Sequence, residues 1–429
     1  MTIHSDAASE ILNTEPPEYP MVRASGCPFD PPPMLGDLRA HAPITRVRIW
    51  DGSSPWLVTR HDDQRALLAD ARLSADTTTP GFPYDSPVVA QSTNQLSSDG
   101  SHRGAAAPAA EPIAFINMDN PEHARQRRMI TSAFAIRRVE AMRPAVQQVV
   151  DDLIDDMLAG PNPADLVDAF AMPVPARVIC EMLGVPYADH DFFQTHTSLL
   201  AGRTTTPEQA LQTFAELAGY LDGLIGERLV APADDLLTTL AEYVTTWDLT
   251  RRQAVNTAMM LLFGGQETTA NMIALGTLAL LENPDQLARV QKHSGDADLI
   301  ASTVEELLRY LSVPQGGRRR VALEDIEIAG VTIRAGDGLI LANDVANRDP
   351  AVFDDPDRLD IDRNARRHLT FGFGVHQCLG QPLARLELQV VYSTLYRRIP
   401  TLRLATELNG LPFKNDAINY GVYEMPVAW

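Results

Sequence analysis

Apolar residues recur with the period of an α-helix through most of the chain beyond its first quarter. The longest apolar run extends from Ala258 to Leu281, and Glu267 stands near its middle. An ionisable side chain at that depth of a bilayer is costly, so we interpret the run as a buried helix rather than a membrane span. The pattern predicts helices near residues 121–134, 139–159, 175–184, 208–230, 251–282, 297–311 and 380–398.

Strand patterns are confined to two short parts of the sequence. Residues 45–59 carry apolar positions on both sides of the turn Asp51-Gly52-Ser53, and a β-rich stretch covers residues 318–343. Residues 77–112 and 344–377 have no sustained period and are expected to be irregular. Together these patterns predict a mainly α fold with a minor β-rich region.

Nothing in the sequence divides the chain into separate domains. No internal repeat and no flexible linker is visible, so we expect a single domain over residues 1–429, with residues 1–19 as a flexible arm. The chain has 56 acidic and 36 basic residues, for a net charge of -20. Such a field repels phosphate backbones and anionic membranes, which argues against nucleic-acid binding.

The three cysteines, Cys27, Cys180 and Cys378, lie far apart, which argues against a disulfide framework. The first twelve residues lack the basic and apolar regions of a secretory signal, so we expect a cytoplasmic protein. The histidines form no close cluster with metal-ligand spacing, which argues against a zinc site.

One cysteine stands in an unusual setting. Two glycines, Gly372 and Gly374, precede Cys378 and permit a tight turn close to a flat ligand. A helical pattern follows, so the sulfur is expected near a helix N-terminus, which favours a thiolate. A lone cysteine is most often buried and inert, so a functional role for Cys378 depends on the residues around it. Phe-x-x-Gly-x-His-x-Cys-x-Gly, which begins at Phe371, resembles the haem-binding loop of cytochromes P450 at every fixed position.

The resemblance implies the cytochrome P450 fold, with haem b buried between the central helix and the cysteine loop and Cys378 as the axial ligand of its iron. It implies a monooxygenase that inserts one oxygen atom from dioxygen into a hydrophobic small molecule, either a secondary metabolite or a xenobiotic. The chain is most similar to the bacterial members of the family. These draw electrons from a separate ferredoxin and an NAD(P)H-dependent ferredoxin reductase, and we expect a monomer.

Further motifs of the family are present. Glu306 and Arg309 form its Glu-x-x-Arg pair, which the resemblance extends to a third, structural member at Arg358. Taken alone, such a pair is usually a solvated surface pair. Glu267 and Thr268 match the acid and the alcohol that relay protons during oxygen activation.

Haem propionates need cationic or donor partners. The resemblance assigns this role to His123, Arg127, Arg320 and His376. The adjacent Arg318 and Arg319 leave the register of the third position open. Gly265, a small residue of the central helix, and Phe371 are expected to contact the haem.

The substrate pocket and the partner surface are less specific. By analogy with the family, the pocket is lined by Phe82, Met260, Phe263, Gly264, Gln315 and Ile418. A ferredoxin would dock on the thiolate side of the haem, where the candidate residues are Arg125, Arg128, Arg366 and Arg367. These arginines could equally be scattered, solvated residues.

Two alternatives stay open at this point. One is a haem-thiolate enzyme of different chemistry, either nitric oxide reduction or peroxide-driven oxidation. The other is a non-catalytic haem sensor or carrier. The pair Glu267-Thr268 favours the monooxygenase, because a sensor has no need of a proton relay.

Overall fold

A computed structural model describes residues 15–24, 26–85, 90, 114–189, 192–193, 195–196, 199, 206–415 and 417–429. Helices make up about half of this part of the chain. In chain order they are α1 (Pro33–His41), α2 (His61–Leu68), α3 (Glu122–Thr131), α4 (Ile136–Ala141), α5 (Arg143–Ala159), α6 (Pro173–Leu183), α7 (Pro207–Val230), α8 (Leu236–Thr245), α9 (Arg251–Leu281), α10 (Pro284–Lys292), α11 (Ala297–Tyr310), α12 (Asn343–Ala346) and α13 (Gln381–Arg398).

The described strands are short. They are β1 (Ile44–Arg46), β2 (Trp56–Val58), β3 (Leu73–Ser74), β4 (Ala164–Asp165), β5 (Arg318–Ala322), β6 (Ile326–Ile328), β7 (Val331–Ile333), β8 (Gly338–Leu341), β9 (Arg403–Leu404) and β10 (Pro426–Ala428). Among the described residues, no helix is both long enough and apolar enough to cross a membrane.

The first compact unit comprises residues 1–124, 305–378 and 415–420. Its main sheet has the order β1-β2-β8-β5-β3, with β2 and β8 parallel and the other pairs antiparallel. Val58, Leu339 and Leu341 are fully buried in its core because strands in the middle of a sheet bury both faces. The sheet holds β5, which carries three successive arginines, in a defined register.

The second compact unit comprises residues 125–304, 379–414 and 421–429 and is mainly helical. Its longest element is α9, with 31 residues, which begins with a capping box between Thr250 and Gln253. Helix α9 packs against α6 and α13, and the Tyr392 hydroxyl donates to the Met272 carbonyl at 2.6 Å. Most of its second half is buried all round, which explains the long apolar run without a membrane. The strands β4, β10 and β9 form a small sheet in this unit.

Most of the expected helices are present, with shifted ends. The helix expected over 139–159 is two helices, since Pro144 in the first turn of α5 has no amide hydrogen to continue the preceding ladder. Helix α3 begins at Glu122, so Pro121 lies before it. Of the irregular stretch 77–112, the structure describes only 77–85 and residue 90.

The described end of the expected flexible arm is held by the first unit. Tyr19 is buried, and its amide donates to the Arg48 carbonyl at 2.8 Å. The Arg48 guanidinium also pairs with Glu15 and Glu18. The prediction of an arm over residues 1–19 was therefore wrong for residues 15–19, because paired backbone and a buried ring fix them; residues 1–14 lie outside the described part.

Candidate functional site

The cysteine loop is a tight turn built by glycine. Gly372 and Gly374 adopt φ of 72° and 74°, a region that side chains disfavour. At Gly374 a Cβ would also collide with the Leu68 carbonyl oxygen. The Cys378 amide donates to the Phe371 carbonyl at 2.8 Å, which closes the loop, and the Cys378 side chain is exposed. By contrast, burial raises the pKa of Cys180 to about 12, as expected for an inert thiol.

Two of the expected propionate partners meet in the first unit although they are far apart in sequence. The rings of His123 and His376 lie 4.0 Å apart between centroids. His123 is buried, and the centroid of its ring lies 6.0 Å from that of the Phe115 ring. A pair of imidazoles next to the cysteine loop is a compact set of hydrogen-bond donors.

The three arginines of β5 divide between the two faces of the sheet. Arg319 pairs with Asp85 and donates to the Pro83 carbonyl at 2.9 Å, so its side chain joins residues 83–85 to β5. Arg318 and Arg320, which lie two positions apart, share the opposite face. Of the three arginines, Arg319 therefore does not lie on the same face of the sheet as the other two.

Arg318 lies beside the cysteine loop. Its Nη2 donates to the Thr370 carbonyl at 2.7 Å, and its Nε is the atom nearest to a Cβ placed on Gly372. Its Nη1 is buried and has no hydrogen-bond partner among the described residues. Burial lowers the pKa of Arg318, and the Cys378 sulfur opposes that change.

Arg318 and Arg320 are both partly buried, and the Nη1 of Arg320 donates to the Arg319 carbonyl at 2.7 Å. Burial and the charge of Arg318 lower the pKa of Arg320 to about 10, while Asp119 acts in the opposite direction. Two partly buried guanidinium groups on one face of the strand form a site with excess positive charge, which suits an anionic ligand.

The Glu-x-x-Arg pair is a fully buried ion pair, with Arg309 Nε 2.7 Å from a Glu306 oxygen. The prediction that Arg358 joins it was wrong. The Arg358 side chain is 65% exposed and pairs with Asp355 and Asp360. Its position is taken by Arg363, whose Nε donates to Glu306 at 3.2 Å.

The sequence could not separate these two arginines, because Asp357-Arg358 and Asp362-Arg363 are the same dipeptide a short distance apart. Only the Arg358 carbonyl belongs to the network, as an acceptor from Arg309 and Arg363. The turn after Pro356 points the Arg358 side chain outward, and the following turn brings Arg363 inward.

In the second unit, the acid and the alcohol of the expected relay lie on α9. The Thr268 hydroxyl donates to the Gly264 carbonyl at 2.8 Å, one turn earlier, and the helix stays α-helical through this segment. Gly265 faces Ile179, whose Cδ1 lies 3.1 Å from a Cβ placed on the glycine. The small residue therefore permits close packing between α9 and α6.

Comparison with known proteins identifies the family. A family profile described as Cytochrome P450 matches residues 233–399. Over 415 residues the sequence is 54% identical to cytochrome P450 GfsF of Streptomyces halstedii, covering 96% of either chain. The chain belongs to the cytochrome P450 family.

Solved structures agree. The crystal structure of GfsF matches this P450 with a TM-score of 0.89, covering 96% of this chain and 100% of that chain at 54% identity. The mycinamicin VIII C21 methyl hydroxylase MycCI of Micromonospora griseorubida, solved with mycinamicin VIII bound, matches with a TM-score of 0.83 at 39% identity over 96% of this chain and 100% of that one. By sequence, the 20-oxo-5-O-mycaminosyltylactone 23-monooxygenase of Streptomyces fradiae is 42% identical, covering 96% of this chain and 92% of the relative.

These matches confirm the predicted family, the P450 fold and the enzyme class. The protein is a cytochrome P450 monooxygenase, and its family implies a haem iron with a thiolate ligand.

The positions expected in the substrate pocket of this P450 fall in both units. In the first, the Gln315 amide donates to the Ile418 carbonyl at 3.0 Å, so these two residues are neighbours. Phe82 packs edge-on against Tyr84 at 5.3 Å. In the second, Phe263 stacks on Phe214 at 5.4 Å, Met260 is partly buried and Gly264 is exposed.

The remaining expected residues are all on the surface or partly buried. Arg127 lies one turn after His123 on α3. Arg125 donates to the Asp248 carbonyl, while Arg128, Arg366 and Arg367 are exposed. Arg363 was missed from the sequence, whereas Arg318 was already one of the candidates for the third propionate position. The available signal for Arg363 was its Asp-Arg dipeptide, which repeats that of Arg358.

Proposed function

We propose that Cys378 is the axial thiolate of a haem b and that this P450 hydroxylates a hydrophobic secondary metabolite. The observation that carries the proposal is the grouping, within one compact unit, of the cysteine loop, the imidazoles of His123 and His376, and the partly buried guanidinium groups of Arg318 and Arg320.

The residues present fit a haem. An unpartnered buried Nη1 on Arg318 and a second guanidinium on the same face support the binding of carboxylates, which a haem supplies as propionates. The exposed Cys378 sulfur supports ligation of a metal, whereas the buried Cys180 does not. When bound, the haem supplies dioxygen activation, which a thiolate ligand favours.

A ligand test is direct. Cys378→Ser should abolish the thiolate-type absorption of the ferrous carbon monoxide complex, and Cys180→Ser should leave it unchanged. A Cys378→Ser protein that retained this absorption would refute the assignment.

We further propose that Glu267 and Thr268 carry protons during turnover. The Thr268 proton is directed to the Gly264 carbonyl, so its oxygen offers lone pairs to a water or to a protonated donor. Thr268→Ala should raise the share of consumed dioxygen released as hydrogen peroxide at least about tenfold, since a positioned acid or base contributes about 10²–10⁴-fold to proton transfer. An unchanged share would remove Thr268 from the relay.

The substrate class follows from the relatives' names and from the lining. MycCI and the Streptomyces fradiae enzyme are named for mycinamicin VIII and a glycosylated tylactone, so we propose a large lactone-type natural product. The candidate lining residues Phe82, Met260, Phe263 and Ile418 are apolar, which supports such a ligand. Either named compound should shift the ferric haem from low spin to high spin in a titration. If only small terpenoids or fatty acids produced the shift, the lactone proposal would fail.

Electrons come, in our proposal, from a separate ferredoxin and its reductase. The exposed Arg366 and Arg367 support docking of an acidic partner on a chain with net charge -20. Arg366→Glu with Arg367→Glu should slow reduction by ferredoxin and weaken its loss with salt, because less attraction is left for salt to screen, while substrate titrations stay unchanged. Arg403→Glu, at an exposed residue of β9, is the matched control. Equal reduction rates in both variants would rule out this surface. The cytoplasmic location stays a prediction from the sequence.

A further inference from the structure

Lys414 is a buried lysine in a chain that almost entirely uses arginine for its cations. Lys292 and Lys414 are the only two lysines of the sequence. Lys292 ends α10 and is exposed, as lysines usually are. The Lys414 side chain belongs to a residue that is only 3% exposed. An ammonium group in such a place needs compensation by an opposite charge.

The C-terminal segment holds Lys414 against the central helix. Its amide donates to the Gly421 carbonyl at 2.9 Å, and the neighbouring Phe413 and Val422 form an antiparallel bridge. A Cβ on Gly421 would collide with the side chain of Asn271 on α9. The two backbone segments around Lys414 and Gly421 therefore pack closely on α9, one turn beyond Glu267.

One acidic group that acts on the charge of Lys414 is the Glu267 carboxylate. Burial lowers the pKa of Lys414, and the Glu267 carboxylate acts in the opposite direction. The ring of Tyr423 lies 5.4 Å from the Lys414 Nζ and adds a weaker cation–π attraction. The Lys414 ammonium group therefore lies near the acid of the expected relay and near an aromatic ring from the same C-terminal segment.

We propose that Lys414 is a positioning residue for the monooxygenase reaction, which holds the Glu267 carboxylate in one orientation beside Thr268. The inference rests on the relay in the proposed function and adds a member to it from a different part of the chain. Glu267 and Thr268 are adjacent on a helix, so their side chains diverge by about 100° around its axis. A fixed cation beside the carboxylate restricts the rotamers of Glu267 and hence its path for receiving and passing on a proton.

A purely structural role of Lys414 predicts a loss of stability rather than a change in proton delivery. Removing one member of a fully buried ion pair is strongly destabilising, but Glu267 is only partly buried, so water can solvate its carboxylate when the Lys414 ammonium is lost. Lys414→Met should therefore fold and bind haem, and any change in proton delivery would not be a consequence of unfolding. Lys414→Arg keeps the positive charge and should therefore behave largely like the wild type.

The experiment uses haem-loaded protein with a plant-type ferredoxin and its NADPH-dependent reductase, without substrate, and measures the share of consumed dioxygen released as hydrogen peroxide. It compares the wild type with Lys414→Met, Lys414→Arg, Glu267→Gln and the double variant Lys414→Met/Glu267→Gln. Lys292→Met is the matched control. The solvent deuterium isotope effect on dioxygen consumption and the carbon monoxide spectrum are recorded for each.

We expect Lys414→Met to change the peroxide share about three- to tenfold and to alter the isotope effect, since a displaced acid forfeits part of the contribution of a positioned group. Lys292→Met should match the wild type, and the double variant should match Glu267→Gln. If Lys414→Met acts equally with and without Glu267, or has no effect while Glu267→Gln does, the role of Lys414 is overturned. If Glu267→Gln itself changes nothing, the proposed relay fails instead, and the inference fails with it.

Discussion

The buried network around Glu306 allows a sharp comparison between two arginines of one short segment. Arg363 reaches the Glu306 carboxylate and donates to the carbonyl oxygens of Asp355 and Arg358, with its side chain only 10% exposed. Among the described residues, the Arg358 side chain, 65% exposed, forms ion pairs with Asp355 and Asp360 only. Arg363→Ala should therefore destabilise the protein far more than Arg358→Ala.

The magnitude follows from what each change removes. Arg309 and the Asp360 amide continue to compensate Glu306 in Arg363→Ala, so the loss is smaller than the 3–5 kcal/mol or so typical of breaking a buried pair outright. One buried charged hydrogen bond and three carbonyl contacts, to Asp354, Asp355 and Arg358, suggest a loss of about 2–4 kcal/mol in the free energy of unfolding. Exposed pairs contribute about 0–1 kcal/mol, which sets the expectation for Arg358→Ala.

The assay is guanidinium unfolding of haem-loaded protein, followed in parallel by far-ultraviolet circular dichroism and by Soret absorbance. Both signals should report the same ranking, with the midpoint of Arg363→Ala clearly below that of Arg358→Ala. Equal midpoints, or a larger loss in Arg358→Ala, would refute the network described here.

Three further changes test the cysteine loop, the buried acid of α13 and the haem site. Gly374→Ala should cost roughly 2 kcal/mol or more and lower haem retention, since it adds backbone strain and a collision, whereas Gly330→Ala, with φ of 79° and open space, should spare haem retention as measured by gel filtration. Burial raises the pKa of Glu387 from 4.5 to about 8, so the folded state prefers the protonated acid, and wild-type stability should fall as pH rises from about 4.5 to 8. Glu387→Gln should remove up to about 5 kcal/mol of this dependence in unfolding titrations, and a pH profile equal to that of the wild type would contradict it. Arg318→Gln should speed haem transfer to apomyoglobin about tenfold, through loss of about 1.5 kcal/mol of charged hydrogen bonding, and an unchanged transfer rate would count against a propionate at this position.

The sequence by itself determined the local features of this P450. The 3.6-residue period located α9, α11 and α13 to within a residue or so, because each such helix buries one face or all of its surface. The spacing of Glu306 and Arg309 already implied contact, since residues three apart share a helix face. The cysteine pattern was sufficient for the family because its glycines and Cys378 act within a single turn.

Only the tertiary structure decided which distant residues meet. It brought His123 to His376, turned Arg319 away from Arg318 and Arg320, replaced Arg358 by Arg363, and placed Lys414 near Glu267. No local periodicity of the sequence indicates any of these contacts. They depend on strand register, on the direction of irregular turns and on the return of the C-terminal segment to α9, and each is decided by burial and charge compensation among residues far apart in the chain.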